Sequence, residues 1–250
     1  MQLWRLNRLL AVRAEISRRR ADQLIQLGQV SVAGRVVTNP AVQVDPTSVL
    51  HLSGKLVKPL PRTFHYYKFY KPAGMVTSMK FQPGSLNLST VIKRIGVGRL
   101  LPIGRLDRES EGLLLLTNDS QLIYQLTHPK FGIQKVYRVK VFGQVDQAKL
   151  NKLKQGIRLR EGRVRVDDIR LVKTLRKASW LEITLHQGWN REIRRLASAV
   201  NWQVVRLIRT KMAGIKLGQL PVGSYEPLSA KELKQLRQRV RERVRQLNSA

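Results

Sequence analysis

The chain has no cysteine among its 250 residues, which excludes disulfide staples and thiolate-bound zinc. Histidine is almost as scarce: His51, His65, His128 and His186 stand apart, with no close pair at metal-ligand spacing. No resident metal or other cofactor is expected. Acidic residues number 16 against 47 lysines and arginines, for a formal net charge of +31. That is more than solubility requires, and it points to a polyanionic partner: RNA, DNA or an anionic membrane. Apolar runs long enough to span a bilayer are also missing. Charges at Arg5 and Arg8 come too early for a secretory hydrophobic segment. The cytoplasm is the expected location, with no membrane partner. What is present in quantity is hydrophobic content, at 42%, enough for a large core in one large domain or a large one plus a small one.

The first 60 or so residues read as a small α+β module. Leu6, Leu9 and Leu10 form one helical stripe; Ser17 is placed to cap a second helix carrying Ala21, Leu24 and Ile25 and ending near Gly28. Val30 and Val32 then alternate with polar residues, and short valine-rich strands follow at 36–37, 42–44 and 49–52. Lys58-Pro59-Leu60-Pro61-Arg62 reads as a linker, because closely spaced prolines interrupt both helix and sheet.

A larger α+β domain over 61–230 is expected next, with a mostly antiparallel mixed sheet. Its strand patterns fall at 64–70, 113–116, 136–141, 181–185 and 204–208, its helices at 120–126 and 190–200, and a Gly/Pro/Ser-rich stretch covers 72–90. The last segment, 231–250, reads as a basic amphipathic helix with Leu233, Leu236, Val240, Val244 and Leu247 on one stripe. Packing of that stripe onto the body is favoured over RNA or membrane contact.

One short stretch holds most of the chemistry. In Gly104-Arg105-Leu106-Asp107-Arg108, a carboxylate sits between two arginines just before the apolar run Leu113–Leu116. Nearby cations favour its ionised form, and an ionised carboxylate can act on a sugar carbon. In a chain this basic, that sugar belongs to RNA.

Two resemblances sharpen this reading. Arg5-Leu6-Asn7-Arg8-Leu9-Leu10, Ile16-Ser17-Arg18-Arg19-Arg20-Ala21 and Gly28-Gln29-Val30-Ser31-Val32-Ala33-Gly34 together resemble the S-four-type RNA-binding domain of ribosomal proteins. The resemblance implies phosphate contacts from Arg18, Arg19 and Gln23, supported by Arg5 and Arg8. Lys68-Phe69-Tyr70-Lys71-Pro72-Ala73-Gly74-Met75-Val76-Thr77, the stretch from Gly104 through Gly112 to Asp119, and Gln187-Gly188-Trp189-Asn190-Arg191-Glu192-Ile193-Arg194-Arg195-Leu196 are similar to three motifs of the pseudouridine synthases of the ribosomal-RNA group.

The second resemblance implies that Asp107 is the catalytic aspartate, that Tyr137 is the active-site tyrosine on a strand, and that Arg194 forms a salt bridge holding Asp107 ionised. Beside these, Lys71, Arg105, Arg191 and Arg195 read as RNA contacts from their charge, and Leu207 as the apolar residue packed by the target base. The expected activity is isomerisation of a specific uridine in structured ribosomal RNA, 23S favoured over 16S, by a monomer that flips the base out. A noncatalytic RNA-binding or ribosome-assembly factor is the alternative, and a nucleosidase or nuclease a third reading. For the last, neither metal ligands nor a histidine pair stand out.

Overall fold

The computed structural model describes residues 3–60, 63–79 and 86–248. Two compact units divide after Phe64; the last two residues of the proline-rich linker, and part of the Gly/Pro/Ser-rich stretch, lie outside the described residues.

In the first unit, helices α1 (Leu6–Arg13) and α2 (Arg18–Gln26) bury the leucine and isoleucine stripes that their three- and four-residue spacing lays on one face. Ser17 caps α2, its side chain accepting the Arg20 N–H at 3.1 Å. Strands β1 (Trp4–Arg5), β2 (Val30–Val32), β3 (Arg35–Val36), β4 (Gln43–Val44), β5 (Leu50–Leu52) and β6 (Lys55–Leu56) follow. They make a β1–β4 pair and a four-stranded sheet in the order β3-β2-β5-β6. The buried Arg13 guanidinium ties the module shut, donating to the carbonyls of Ser48, Val57 and Lys58 at 2.6, 2.8 and 2.6 Å.

The second unit is built on one mixed sheet. In chain order its elements are β7 (Tyr66–Lys71), α3 (Leu88–Ile95), β8 (Leu101–Pro102), β9 (Glu111–Thr117), α4 (Ser120–Thr127), β10 (Lys135–Phe142), α5 (Gln147–Gln155), β11 (Ile157–Leu159), β12 (Gly162–Val164), β13 (Asp168–Leu175) and β14 (Ala178–Leu185). There follow α6 (Glu192–Ser198), β15 (Val204–Met212), β16 (Ile215–Lys216), β17 (Tyr225–Pro227) and α7 (Ala230–Asn248).

The strand order is β13-β14-β10-β15-β9-β7-β17, with β16 beside β15 and β8 beside β9. Every pairing between the named strands of this sheet is antiparallel except β15 with β9, where Ile208 and Arg209 register with Glu111 and Gly112. Strand β9 explains the unbroken leucine run: Leu113 and Leu115 enter a core closed by α4 and α7, while Leu114 and Leu116 enter one closed by α3 on the opposite face. A third core lies between β10, β14 and β15 and helices α5 and α6.

The basic C-terminal helix is part of this unit. Leu236 and Val240 are buried, Leu233 and Val244 pack beside them, and Ser229 and Glu232 form a reciprocal cap at its start, with N–H donors at 2.9 and 3.2 Å. Lys68 on β7 pairs with Glu232 at 2.9 Å and Glu226 at 2.8 Å, and Arg237 donates to the Tyr66 hydroxyl at 3.1 Å. No helix among the described residues is long and apolar enough to cross a membrane.

Candidate active site

Two motifs far apart in the sequence meet at one loop. The Lys71 ammonium, at the end of β7, donates to the carbonyls of Pro72, Arg108 and Ser110 at 2.9, 3.4 and 2.7 Å. Gly74 donates its N–H to the Arg108 carbonyl at 2.7 Å, and Thr77 its hydroxyl to the Leu106 carbonyl at 2.9 Å. Within the loop, the Ser110 N–H closes a turn onto the Asp107 carbonyl at 3.1 Å. The backbone on either side of Asp107 is thus pinned, and its half-buried side chain is left to line a cleft.

Lys71 is therefore not the phosphate contact expected from its charge. With 0% of its surface exposed it cannot reach RNA; it positions the Asp107 loop from beneath. Burial pulls its ammonium down to about 8, against the opposing charges of Glu111, Asp107 and Glu109. The unfolded chain then binds more protons than the folded one between about pH 8 and the ordinary lysine value, so this residue's contribution to stability rises with pH across that window. Lys71→Met should lose that rise in pH-dependent unfolding. At pH 7 it should cost about 1–3 kcal/mol, because buried carbonyls lose their donor. Isomerase activity should fall with the loosened loop.

The cleft encloses about 530 Å³, and Asp107, Tyr137, Leu207 and Arg209 line it together. Tyr137 on β10 stands directly across from Arg209 on β15. Burial raises the Tyr137 hydroxyl above its ordinary value, with Arg209 opposing the shift through charge and hydrogen bonding, so at neutral pH it is a phenol. Lys135 lies nearby, donating to the carbonyls of Ile133, His186 and Gln187 at 3.0, 3.1 and 3.1 Å. Burial brings it down to about 8, with Arg209 adding to the effect.

Four cleft residues carry a buried polar atom with no protein partner: Ser110 Oγ, Gln187 Oε1, Glu192 Oε1 and Arg209 Nη2. Such atoms cost about 1–3 kcal/mol each when left unpaired. A ligand rich in hydroxyls and carbonyls, as a nucleoside is, offers them partners. Among the described residues no group of three or more His, Asp or Glu side chains is placed to hold a metal ion.

Of the three arginines of the third motif, only Arg191 lines this cleft. Arg191 adopts a left-handed backbone, φ +49°, at the start of α6 and pairs with Glu109 at 2.9 Å. Glu192, buried behind it, accepts the Trp189 N–H at 3.2 Å, and burial raises its carboxyl. The expected salt bridge from Arg194 to Asp107 is not formed. The turn at Arg191 points Glu192 and Ile193 inward and sets Arg194 along the outside of the loop, where it reaches the carbonyls of Glu109 and Val204, both at 3.5 Å. Arg195 pairs with Glu161 at 2.7 Å in the turn after β11, and Arg105 is exposed at the cleft rim.

Arg209 escaped the sequence reading altogether. The available signal was the period-two relation that puts it on the same strand face as Leu207. Lys135 carried no comparable mark, and Gln187 and Glu192 stood within the third motif without a role assigned to them.

The sequence matches the family described as RNA pseudouridylate synthase over residues 65–199. The chain belongs to the pseudouridine synthase family. It is accordingly an isomerase acting on RNA, and the S4 domain family matches residues 4–50 ahead of the catalytic region.

An RNA pseudouridine synthase of Aquifex aeolicus is 39% identical over 93% of both chains. The ribosomal large subunit pseudouridine synthase B of Bacillus subtilis is 36% identical, over 93% of this chain and 95% of its own. A crystal structure of a pseudouridylate synthase superposes with a TM-score of 0.65 at 26% identity, covering 93% of this chain and 99% of its own.

In the S4 domain, Arg5, Arg18, Arg19 and Gln23 are exposed. Arg18 also donates to Asn7 at 3.1 Å, and the Arg8 guanidinium lies 4.0 Å over the Trp4 ring.

Proposed function

We propose that the enzyme isomerises one specific uridine of 23S ribosomal RNA, using Asp107 on the ribose and Tyr137 against the base. The observation that carries this reading is that Asp107 and Tyr137, about thirty residues apart, line one cleft equipped with unpartnered polar atoms. The choice of large-subunit RNA is supported by the name of the Bacillus subtilis relative.

Isomerisation must break the bond from ribose to base nitrogen, turn the freed uracil in place and rejoin it through a ring carbon. The cleft has to hold both fragments. The target uridine flips out of its stack at a cost of about a few kcal/mol, least in a loop, and its uracil rests against Tyr137 and Leu207. The Asp107 carboxylate then faces the sugar, where it stabilises cationic character, attacks the anomeric carbon or removes a ribose proton. The Tyr137 ring stacks on the uracil, and its neutral hydroxyl can donate to the base while water takes up the proton displaced from the new carbon link. Arg194 braces the loop from outside through the Glu109 carbonyl.

Arg5, Arg8, Arg18, Arg19 and Gln23 of the S4 domain, together with Arg105 and Arg191 at the cleft, supply phosphate contacts; Arg195, expected among them, is held by Glu161 with its Nε and Nη2 buried. The enzyme acts as a monomer in the cytoplasm, where an rRNA substrate is found.

Carbodiimide primer-extension mapping of unmodified 23S and 16S transcripts tests this. A new stop in 23S with the wild-type enzyme, absent with Asp107→Asn, is expected. No stop in either transcript, with RNA binding intact, would favour an assembly factor that keeps the fold for binding alone.

A further inference from the structure

Among the described residues Arg209 is the largest side chain to be almost completely buried, with 2% of its surface exposed. An unpaired buried guanidinium is costly, so its surroundings matter. Its Nε donates to the Leu113 carbonyl at 2.7 Å, and it acts on the Tyr137 hydroxyl across the β10–β15 pairing. Nη2 remains buried at the cleft without a protein partner. No described ion pair joins Arg209 to an acid. A permanent positive charge is thus held at the wall of the cleft, on the same face as Leu207 and opposite Tyr137.

We propose that Arg209 is a catalytic residue that stabilises the departing uracil, its free Nη2 donating to a uracil carbonyl oxygen as the glycosidic bond breaks. This rests on the assignment of the cleft as the uridine-isomerising site. When the bond from C1′ to N1 breaks, its electron pair stays on the base, and the resulting anion spreads over N1 and the two carbonyl oxygens. The sugar carbon is meanwhile met by the carboxylate of Asp107, or loses a neighbouring proton to it. When the ring carbon C5 rejoins C1′, the negative charge on the base is consumed; the bond from Asp107 to C1′ breaks, or the proton held by Asp107 returns to the sugar, and the proton at C5 passes through water to N1, restoring the aromatic ring.

A cation needed only while the base is anionic acts selectively on the transition state. Fixed in a dry wall by its bond to Leu113, it needs no reorganisation at that moment. The geometry also accounts for Gly112: a Cβ there would lie 2.3 Å from the Arg209 carbonyl oxygen, so the absence of a side chain lets the strand carrying Arg209 lie against the end of the Asp107 loop.

The test compares leaving groups. 5-Fluorouracil is a more stable anion than uracil and needs less help to depart. Single-turnover consumption of the target nucleoside is measured on matched transcripts carrying uridine or 5-fluorouridine, with wild-type enzyme, Arg209→Gln and Arg209→Lys.

Arg209→Gln should slow consumption of uridine about 100-fold and that of 5-fluorouridine less than tenfold, with Arg209→Lys in between. Because each variant serves as its own reference, partial misfolding lowers both rates equally and leaves their ratio unchanged. Equal losses on the two substrates would overturn the proposal and leave Arg209 a structural residue. Failure of the wild-type enzyme to consume either substrate would instead remove the site assignment.

Discussion

Asp107→Asn should abolish isomerisation while leaving RNA affinity within about threefold of wild type. The substitution removes a charge but keeps the shape, and the loop that presents it is fastened through backbone carbonyls by Lys71, Gly74 and Thr77 rather than through the Asp107 side chain. Nothing in the clamp depends on the carboxylate, so fold and binding surface should survive. An amide can neither attack the sugar nor take a proton from it, and loss of a residue at the reacting bond costs roughly 10⁴-fold or more. Carbodiimide mapping under single-turnover conditions, paired with filter binding of the same transcript, separates the two effects. A residual rate within tenfold of wild type would remove Asp107 from the chemistry.

The second large effect belongs to Gly112. Its φ of +102° is one that L side chains rarely adopt, and an added Cβ would lie 2.3 Å from the Arg209 oxygen and 2.7 Å from its nitrogen. Both obstacles are backbone in the middle of a sheet, so neither can swing aside. Gly112→Ala should cost more than about 4 kcal/mol, lowering the melting temperature by about 10 °C, and activity should fall further as Arg209 is pushed from Asp107. Gly74 gives the contrast. Its φ is +82°, yet a Cβ there meets nothing within 4 Å, so Gly74→Ala should cost only about 1 kcal/mol. Equal melting temperatures for the two variants would show that crowding at β15 is unimportant.

Much of the fold was legible because its signals are local. The stripe of Leu6, Leu9 and Leu10, the cap at Ser17 and the strand patterns within β9, β10, β14 and β15 depend on residues a few positions apart. Missing from the reading were α3, α5, the β11–β12 hairpin, β13 and β17. Strand β13 is an edge strand whose residues are mostly exposed, so it lacks the alternation that burial imposes. Helix α5 is lysine-rich and buries only Leu150 and Leu153, too few to outline a stripe.

The site divides the same way. Asp107 and Tyr137 were proposed from motif wording, and the fold brings both to line one cleft. Lys71 was misread because a lysine's burial is decided by tertiary packing: the three carbonyls that hold it come from chain up to 39 residues away. Arg194 was misjudged for a related reason, since the left-handed turn at Arg191 sets the direction of the helix. Arg209 carried only a shared strand face with Leu207.

The parallel contact between β9 and β15 has a bearing on how the protein is made. Its partners, Gly112 and Arg209, are almost a hundred residues apart, whereas β7 with β9, and β10 with β14, close over shorter stretches. Long-range pairings form late, because a large loop must close before any contact rewards it. During synthesis, the half carrying Asp107 and the half carrying Tyr137 can each begin to order while β15 is still inside the ribosome. Until that strand emerges and inserts between them, the nascent chain has an RNA-binding domain at its front and no completed catalytic centre. Commitment to chemistry thus waits for β15, so a product terminated before that strand should hold RNA without altering it.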